Sequence, residues 1–121
     1  MSLEKEFCTY SQALRLKALG FDEPCLMAYI GKDNQLYSKC DDVLHLKAVD
    51  ILNPLKAPTF YQAFRWFRKN YDLLGIPTYS KYTIMSNKWV GQPLYGNYNS
   101  YEEAELACLD KLLEIVESKS E

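Results

Sequence analysis

Thr9-Tyr10-Ser11-Gln12-Ala13, Thr59-Phe60-Tyr61-Gln62-Ala63 and Ser100-Tyr101-Glu102-Glu103-Ala104 are three spellings of one five-residue phrase. Each sets a hydroxyl residue at a helix N-cap, an aromatic at the first helical position, Gln or Glu at the third, and then Ala. In such a capping box the hydroxyl accepts from the third backbone N–H, while Gln or Glu reaches back to the N–H of the cap itself. Two orphaned donors are thereby satisfied reciprocally. The phrase predicts three helices, and its recurrence points to a repeated architectural unit.

Working outward, the first helix is expected from about Tyr10 to Leu19. Gly20 supplies the left-handed residue after its last turn, Phe21 folds back toward Leu16 as in a Schellman stop, and Pro24 prevents resumption. Leu74-Gly75-Ile76-Pro77 repeats the punctuation of Leu19-Gly20-Phe21, so the second helix is expected to stop in the same way. Starts and stops duplicated together favour a repeated αββ unit.

After each stop the text turns strand-like. Cys25–Ile30, a turn at Gly31-Lys32-Asp33-Asn34, and Gln35–Lys39 read as a hairpin. Thr78–Met85 is rich in Tyr, Thr and Ile, Ser86-Asn87 makes a turn, and Lys88-Trp89-Val90 begins a return strand. Gly91, Pro93 and Gly96 interrupt that return and mark it as bulged or at a sheet edge. The composition allows a further short strand around Val43–Val49, and Pro54 and Pro58 extend the chain into the second helix. The expected fold is α+β in the order α-β-β-(β)-α-β-β-α: an antiparallel sheet of four to five strands covered by three helices.

A length of 121 residues corresponds to one domain. The expected boundaries are an N-terminal segment 1–8, a single α+β domain 9–116 and a frayed tail 117–121. Met1-Ser2-Leu3 has the look of an expression leader. Hydrophobic residues make up 48% and charged residues 25%, an ordinary globular balance. The net charge of −2 offers no global attraction for nucleic acid, membrane or acidic ligand. No apolar run approaches the ~20 residues of a membrane span. No signal-peptide stretch opens the chain, so a cytoplasmic location is expected. Cys8, Cys25, Cys40 and Cys108 form no CxxC pair and read as free thiols.

Charge is unevenly placed along the chain. Residues 61–98 hold Arg65, Arg68, Lys69, Lys81 and Lys88 against Asp72, whereas 99–121 hold seven acids against Lys111 and Lys119. Mutual neutralisation of the two segments is the simplest account. On the second helix Arg65, Arg68, Lys69 and Asp72 share one face, opposite Phe60, Ala63, Phe64, Phe67, Tyr71 and Leu74. Trp66 sits at the boundary. Such a basic stripe beside an aromatic can hold a phosphate backbone and stack a base, or it can be a solvated face with Trp66 closing the core edge. Tyr79, Tyr82, Tyr95, Tyr98 and Tyr101 cluster late in the chain, where Tyr serves recognition surfaces and strand packing alike. Alternation places Tyr79 and Tyr82 on opposite sides, so only one of them belongs to the core.

Catalytic constellations are thin. Cys25, Cys40, Asp41, Asp42 and His45 lack the paired short spacing of a structural zinc site. A Cys40–His45 nucleophile–base pair has no third partner. Glu102, Glu103 and Glu105 suit the first turn of a helix, where acids meet the positive end of the dipole. Cys108 falls on the stripe Ala104, Cys108, Leu112, Ile115 and reads as a core thiol. No catalytic residue, metal or cofactor is therefore expected.

Two segments together carry a resemblance: Ala57-Pro58-Thr59-Phe60-Tyr61-Gln62-Ala63-Phe64-Arg65-Trp66-Phe67-Arg68-Lys69-Asn70-Tyr71 and Tyr98-Asn99-Ser100-Tyr101-Glu102-Glu103-Ala104-Glu105-Leu106-Ala107-Cys108-Leu109. With Tyr10–Leu14 and Gly20–Cys25, they resemble a family of small proteins encoded in bacteriophage, prophage and related mobile regions of gut-type bacteria. The likeness spans most of 7–116 and fades between Leu26 and Lys56. More distantly, strands feeding an Ala/Cys-rich terminal helix look like phage αβα-sandwich domains. The family carries no established activity, so the resemblance implies a mobile-element setting and transfers no catalytic residue. The functional expectation is a non-enzymatic interaction protein that binds another protein through Tyr79, Tyr82, Tyr95 and Tyr98 or the exposed part of the second helix. The alternative is nucleic-acid binding through Arg65, Trp66, Arg68 and Lys69.

Overall fold

The computed structural model describes residues 3–30, 35–38, 54–88 and 94–119. Among them the chain is α+β, with three α-helices and two three-stranded antiparallel sheets. The chain parts into two compact units, Met1–Thr59 and Phe60–Glu121.

In the first unit, a 3-10 turn (Leu3–Glu6) precedes α1 (Tyr10–Ala18) and strands β1 (Met27–Tyr29), β2 (Leu36–Ser38) and β3 (Leu55–Ala57). The capping box forms as expected: the Gln12 backbone N–H donates to Thr9 Oγ1 at 3.2 Å, and the Thr9 N–H to Gln12 Oε1 at 3.1 Å. The helix closes in a Schellman motif. Gly20, at φ +100°, donates its N–H to the Lys17 carbonyl, and the Phe21 N–H reaches the Leu16 carbonyl. Both Leu16 and Phe21 are buried.

Strand β1 is central, paired to β2 and β3. Its register sets Tyr29, Leu36 and Leu55 in one row and Met27, Ser38 and Ala57 in the next. Ala13 of α1 packs on Tyr29, Leu55 and Ala57, and Tyr10 meets the Tyr29 ring edge-to-face at 5.3 Å. The buried Tyr29 hydroxyl donates to the Cys8 carbonyl at 2.7 Å, and the Cys8 N–H donates to that of Pro58. Phe7, bridged to Thr59, is buried with Cys8, so residues just before α1 contribute to this core.

The second unit runs α2 (Phe60–Tyr71), β4 (Leu74–Pro77), β5 (Lys81–Met85), β6 (Leu94–Gly96) and α3 (Tyr101–Lys119). The strands form a meander in which β5 is central. Helix α3 packs on β4 and β5, and α2 packs on β4 and α3. At Gly75, register partner of Ile84, α3 lies close on the strand: a Cβ there would lie 2.8 Å from Cys108 Sγ and 3.0 Å from Leu112 Cδ1. Ala104, Cys108, Leu109, Leu112, Leu113 and Val116 bury the inner face of α3. Ser100 caps this helix by accepting the Glu103 N–H at 3.2 Å, while the Glu103 carboxylate turns back to the Asn99 N–H at 2.8 Å.

Four expectations are corrected. One sheet of four to five strands becomes two of three: among the described residues, β1–β3 pair with one another and the strands of the second unit do likewise. The αββ duplication does not extend to topology: the first strand after the helix is central in the first unit and at an edge in the second. Gly75 is not a helix stop. The left-handed residue after α2 is Asp72 (φ 57°), and Leu74-Gly75-Ile76-Pro77 is itself a strand. As a result Thr78–Met85 is not one strand. Thr78 turns the chain by donating its N–H and its hydroxyl to the Lys81 carbonyl, and β5 starts at Lys81. The turn at 31–34, the strand around Val43–Val49 and the return through Trp89 and Val90 lie outside the described residues.

Candidate functional site

The residue pattern of α2 decides what the second unit shows to solvent. Phe60, Ala63, Trp66 and Phe67 are buried, so the opposite face carries Tyr61, Arg65, Arg68 and Lys69, all exposed. These four recur at helical spacing: Tyr61, Arg65 and Lys69 are four residues apart, and Arg68 lies beside Lys69. Tyr61 is 76% exposed. Among the described residues, none of the three cations makes an ion pair; the pairs present are Lys56–Asp22 and Lys111–Glu114. The acids of α3 therefore do not neutralise this face by direct contact.

Trp66 is not part of that surface. It is only 6% exposed, wedged edge-on between the rings of Phe67 (5.1 Å) and Tyr71 (5.4 Å). Burying the indole removes a large apolar area from water, which outweighs any benefit of displaying it. A Trp66 stacking platform for a base is thus excluded, and Tyr61 is the aromatic that stands in line with the cations.

The Tyr cluster divides in the same way. Tyr82 is 4% exposed and forms a core stack with Tyr95 (4.9 Å between ring centres, 19° between planes) and Tyr98 (6.0 Å). Lys111 of α3 lies over the Tyr95 ring at 5.6 Å and closes the stack. Burial, with the charge and hydroxyl hydrogen bond of Tyr98, pushes the Tyr82 phenol pKa upward. Tyr82 is therefore withdrawn as a contact residue, and Tyr95 and Tyr98 are half-buried partners of it. Tyr79 is 92% exposed because it lies on the β4–β5 turn; strand alternation with the buried Tyr82 does not set it, since β5 begins only at Lys81.

The end of α2 builds a second feature. The Asp72 carboxylate accepts from Ser86 Oγ at 3.1 Å, from the Asn87 N–H at 3.0 Å and from Asn87 Nδ2 at 3.2 Å. Asp72 thus leaves the basic stripe to which its spacing assigned it and ties the helix end to the end of β5. Beside this clasp lies an open cavity of about 220 Å³ lined by Arg68, Asp72, Leu74, Met85, Ser86 and Asn87.

Cys25 and Cys108 are alike in character. Burial, reinforced by Glu105, pushes Cys108 up to about 12, and burial pushes Cys25 up to about 11. Neither is poised as a thiolate near neutrality. Among the described residues no three His, Cys, Asp or Glu side chains gather as a metal site, and no helix is long and apolar enough to cross a membrane. Cys40, Asp41, Asp42 and His45 lie outside the described residues. Sequence reasoning missed Tyr61, Ser86 and Asn87. The spacing of Tyr61 from Arg65 was a usable signal, whereas the clasp depends on a register that no local pattern announces. No family model, curated protein or solved structure matches the chain.

Proposed function

We propose that the chain is a non-enzymatic, cytoplasmic interaction protein that binds an acidic partner protein through the exposed face of α2. The single observation that carries this reading is the alignment of an exposed Tyr61 with three cations that make no ion pair among the described residues. Tyr and Arg dominate the energetics of protein interfaces, because they supply large contact area and directional donors. Cations left without partners at a surface complement acids on another molecule. In the phage or prophage setting that the resemblance implies, the partner is a protein of the host or of the mobile element. Affinity capture with the wild-type chain is expected to retain a specific protein that Tyr61→Ala and Arg68→Ala baits release. Equal retention by all three baits would count against the reading.

Nucleic-acid binding is the second reading, favoured by the same exposed cations. It loses Trp66 as a platform, and residues 60–121 hold seven basic against eight acidic residues. Three phosphate contacts give weak, strongly salt-dependent binding. A mobility shift at low ionic strength that weakens on Arg68→Ala would support it.

A further inference from the structure

The cavity at the end of α2 combines three features that belong together chemically. Leu74 and Met85 are register partners, so their side chains lie side by side on one face of the sheet and give the cavity an apolar floor. Arg68 stands at its rim, exposed and without an ion pair among the described residues. The Asn87 and Ser86 groups that face it are held in place by the Asp72 carboxylate, which already accepts three hydrogen bonds. Among the described residues lining the cavity Asp72 is the one anion and Arg68 the one cation, and Arg65 and Lys69 follow on the same exposed face of α2.

We infer that this cavity receives an aliphatic side chain of an acidic peptide segment, with carboxylates flanking that side chain engaged by Arg68 and Arg65. The inference rests on the reading of α2 as a protein-binding face and adds the chemistry of the partner. Charge complementarity selects the occupant. A basic segment is repelled by Arg65, Arg68 and Lys69, and a nucleic acid brings phosphates but no aliphatic group for the Leu74–Met85 floor. The spacing is also suitable. Arg65 and Arg68 are separated by ~4.5 Å along the helix axis, and an extended segment advances ~3.3 Å per residue. An acid one or two positions from the apolar anchor therefore reaches a guanidinium, which accepts carboxylates in a bidentate fork.

The test uses the full chain on an array of immobilised nonapeptides. Each peptide carries a central Leu flanked by Glu, Gln or Lys in permuted positions, with all-Glu peptides and a single-stranded oligonucleotide of equal charge as further arms. The expected result is that Glu-flanked Leu peptides bind at least tenfold more tightly than all-Glu or Gln-flanked ones. Met85→Gln, close in shape to the native side chain, should erase the preference for Leu. Arg68→Glu, at an exposed helical position, should shift preference toward Lys-flanked peptides. Equal binding of Leu-centred and all-Glu peptides, or a Leu preference unchanged in Met85→Gln, overturns the inference. If acidic peptides still depend on Tyr61 and Arg65 in that case, the α2 face stands and only the pocket falls. If the oligonucleotide binds more tightly than every peptide, both fall.

Discussion

Gly75 has only a hydrogen where a methyl group would come within 2.8 Å of the Cys108 sulfur. Gly75→Ala must push α3 away from β4, and the expected cost is about 1–3 kcal/mol, the usual range for overpacking a filled core. Cys108→Ala in the same chain should recover part of that loss, and urea unfolding of the four-protein cycle reads the coupling. The glycine was visible in the sequence and its role was not. Leu74-Gly75-Ile76 matches Leu19-Gly20-Phe21 letter for letter in kind, yet Asp72, a residue type that tolerates left-handed backbone, had already ended the helix. Cys108 also sets a pH dependence. Its pKa is pushed from 9.0 up to about 12 by burial. Below pH 9 the folded and unfolded chains both hold this proton and the stabilising difference is fully present. Between 9 and about 12 the unfolded chain releases a proton that the folded chain keeps, so stability falls. The urea midpoint should drop as pH rises from 9 toward 11, and less steeply in Cys108→Ala.

At the scale of elements, local signals succeeded where a single turn contains all the interacting atoms. The Thr9–Gln12 box and the Gly20 stop are such cases, and α1 follows them to within a residue. Strands of three residues gave too few alternations to read, so Leu55–Ala57, framed by two prolines, passed as connecting chain although it completes the first sheet. The link between α2 and β5 depends wholly on long-range register. Asp72→Ala removes an acceptor of three hydrogen bonds and places Ala in left-handed backbone, at an expected cost of about 2 kcal/mol. Asp72→Asn keeps one carbonyl oxygen as acceptor and a side chain suited to that backbone, so it should cost less than half as much. Thermal unfolding of the two variants against wild type measures the difference, and equal losses would contradict the role assigned to the clasp.

Across the whole molecule, the charge pattern was legible and its geometry was only partly so. Arg65, Arg68 and Lys69 stand exposed on the face that their spacing assigns them, but the aromatic beside them is Tyr61 rather than Trp66. Tyr61 was concealed as the third letter of the repeated phrase, where it looked like part of a helix start. The late Tyr cluster, read as a recognition surface, supplies core packing through Tyr82 and leaves Tyr79 as its fully displayed member. Surface position also means that Tyr61→Ala and Arg68→Ala should alter binding while changing stability by no more than about 0.5 kcal/mol. The most direct test of the α2 face is backbone amide chemical-shift mapping as an acidic, Leu-centred peptide is titrated into the labelled chain. The largest shifts are expected at Tyr61, Arg65, Arg68, Lys69, Ser86 and Asn87. Shifts centred instead on Tyr79, Tyr95 and Tyr98, with α2 unmoved, would contradict the account.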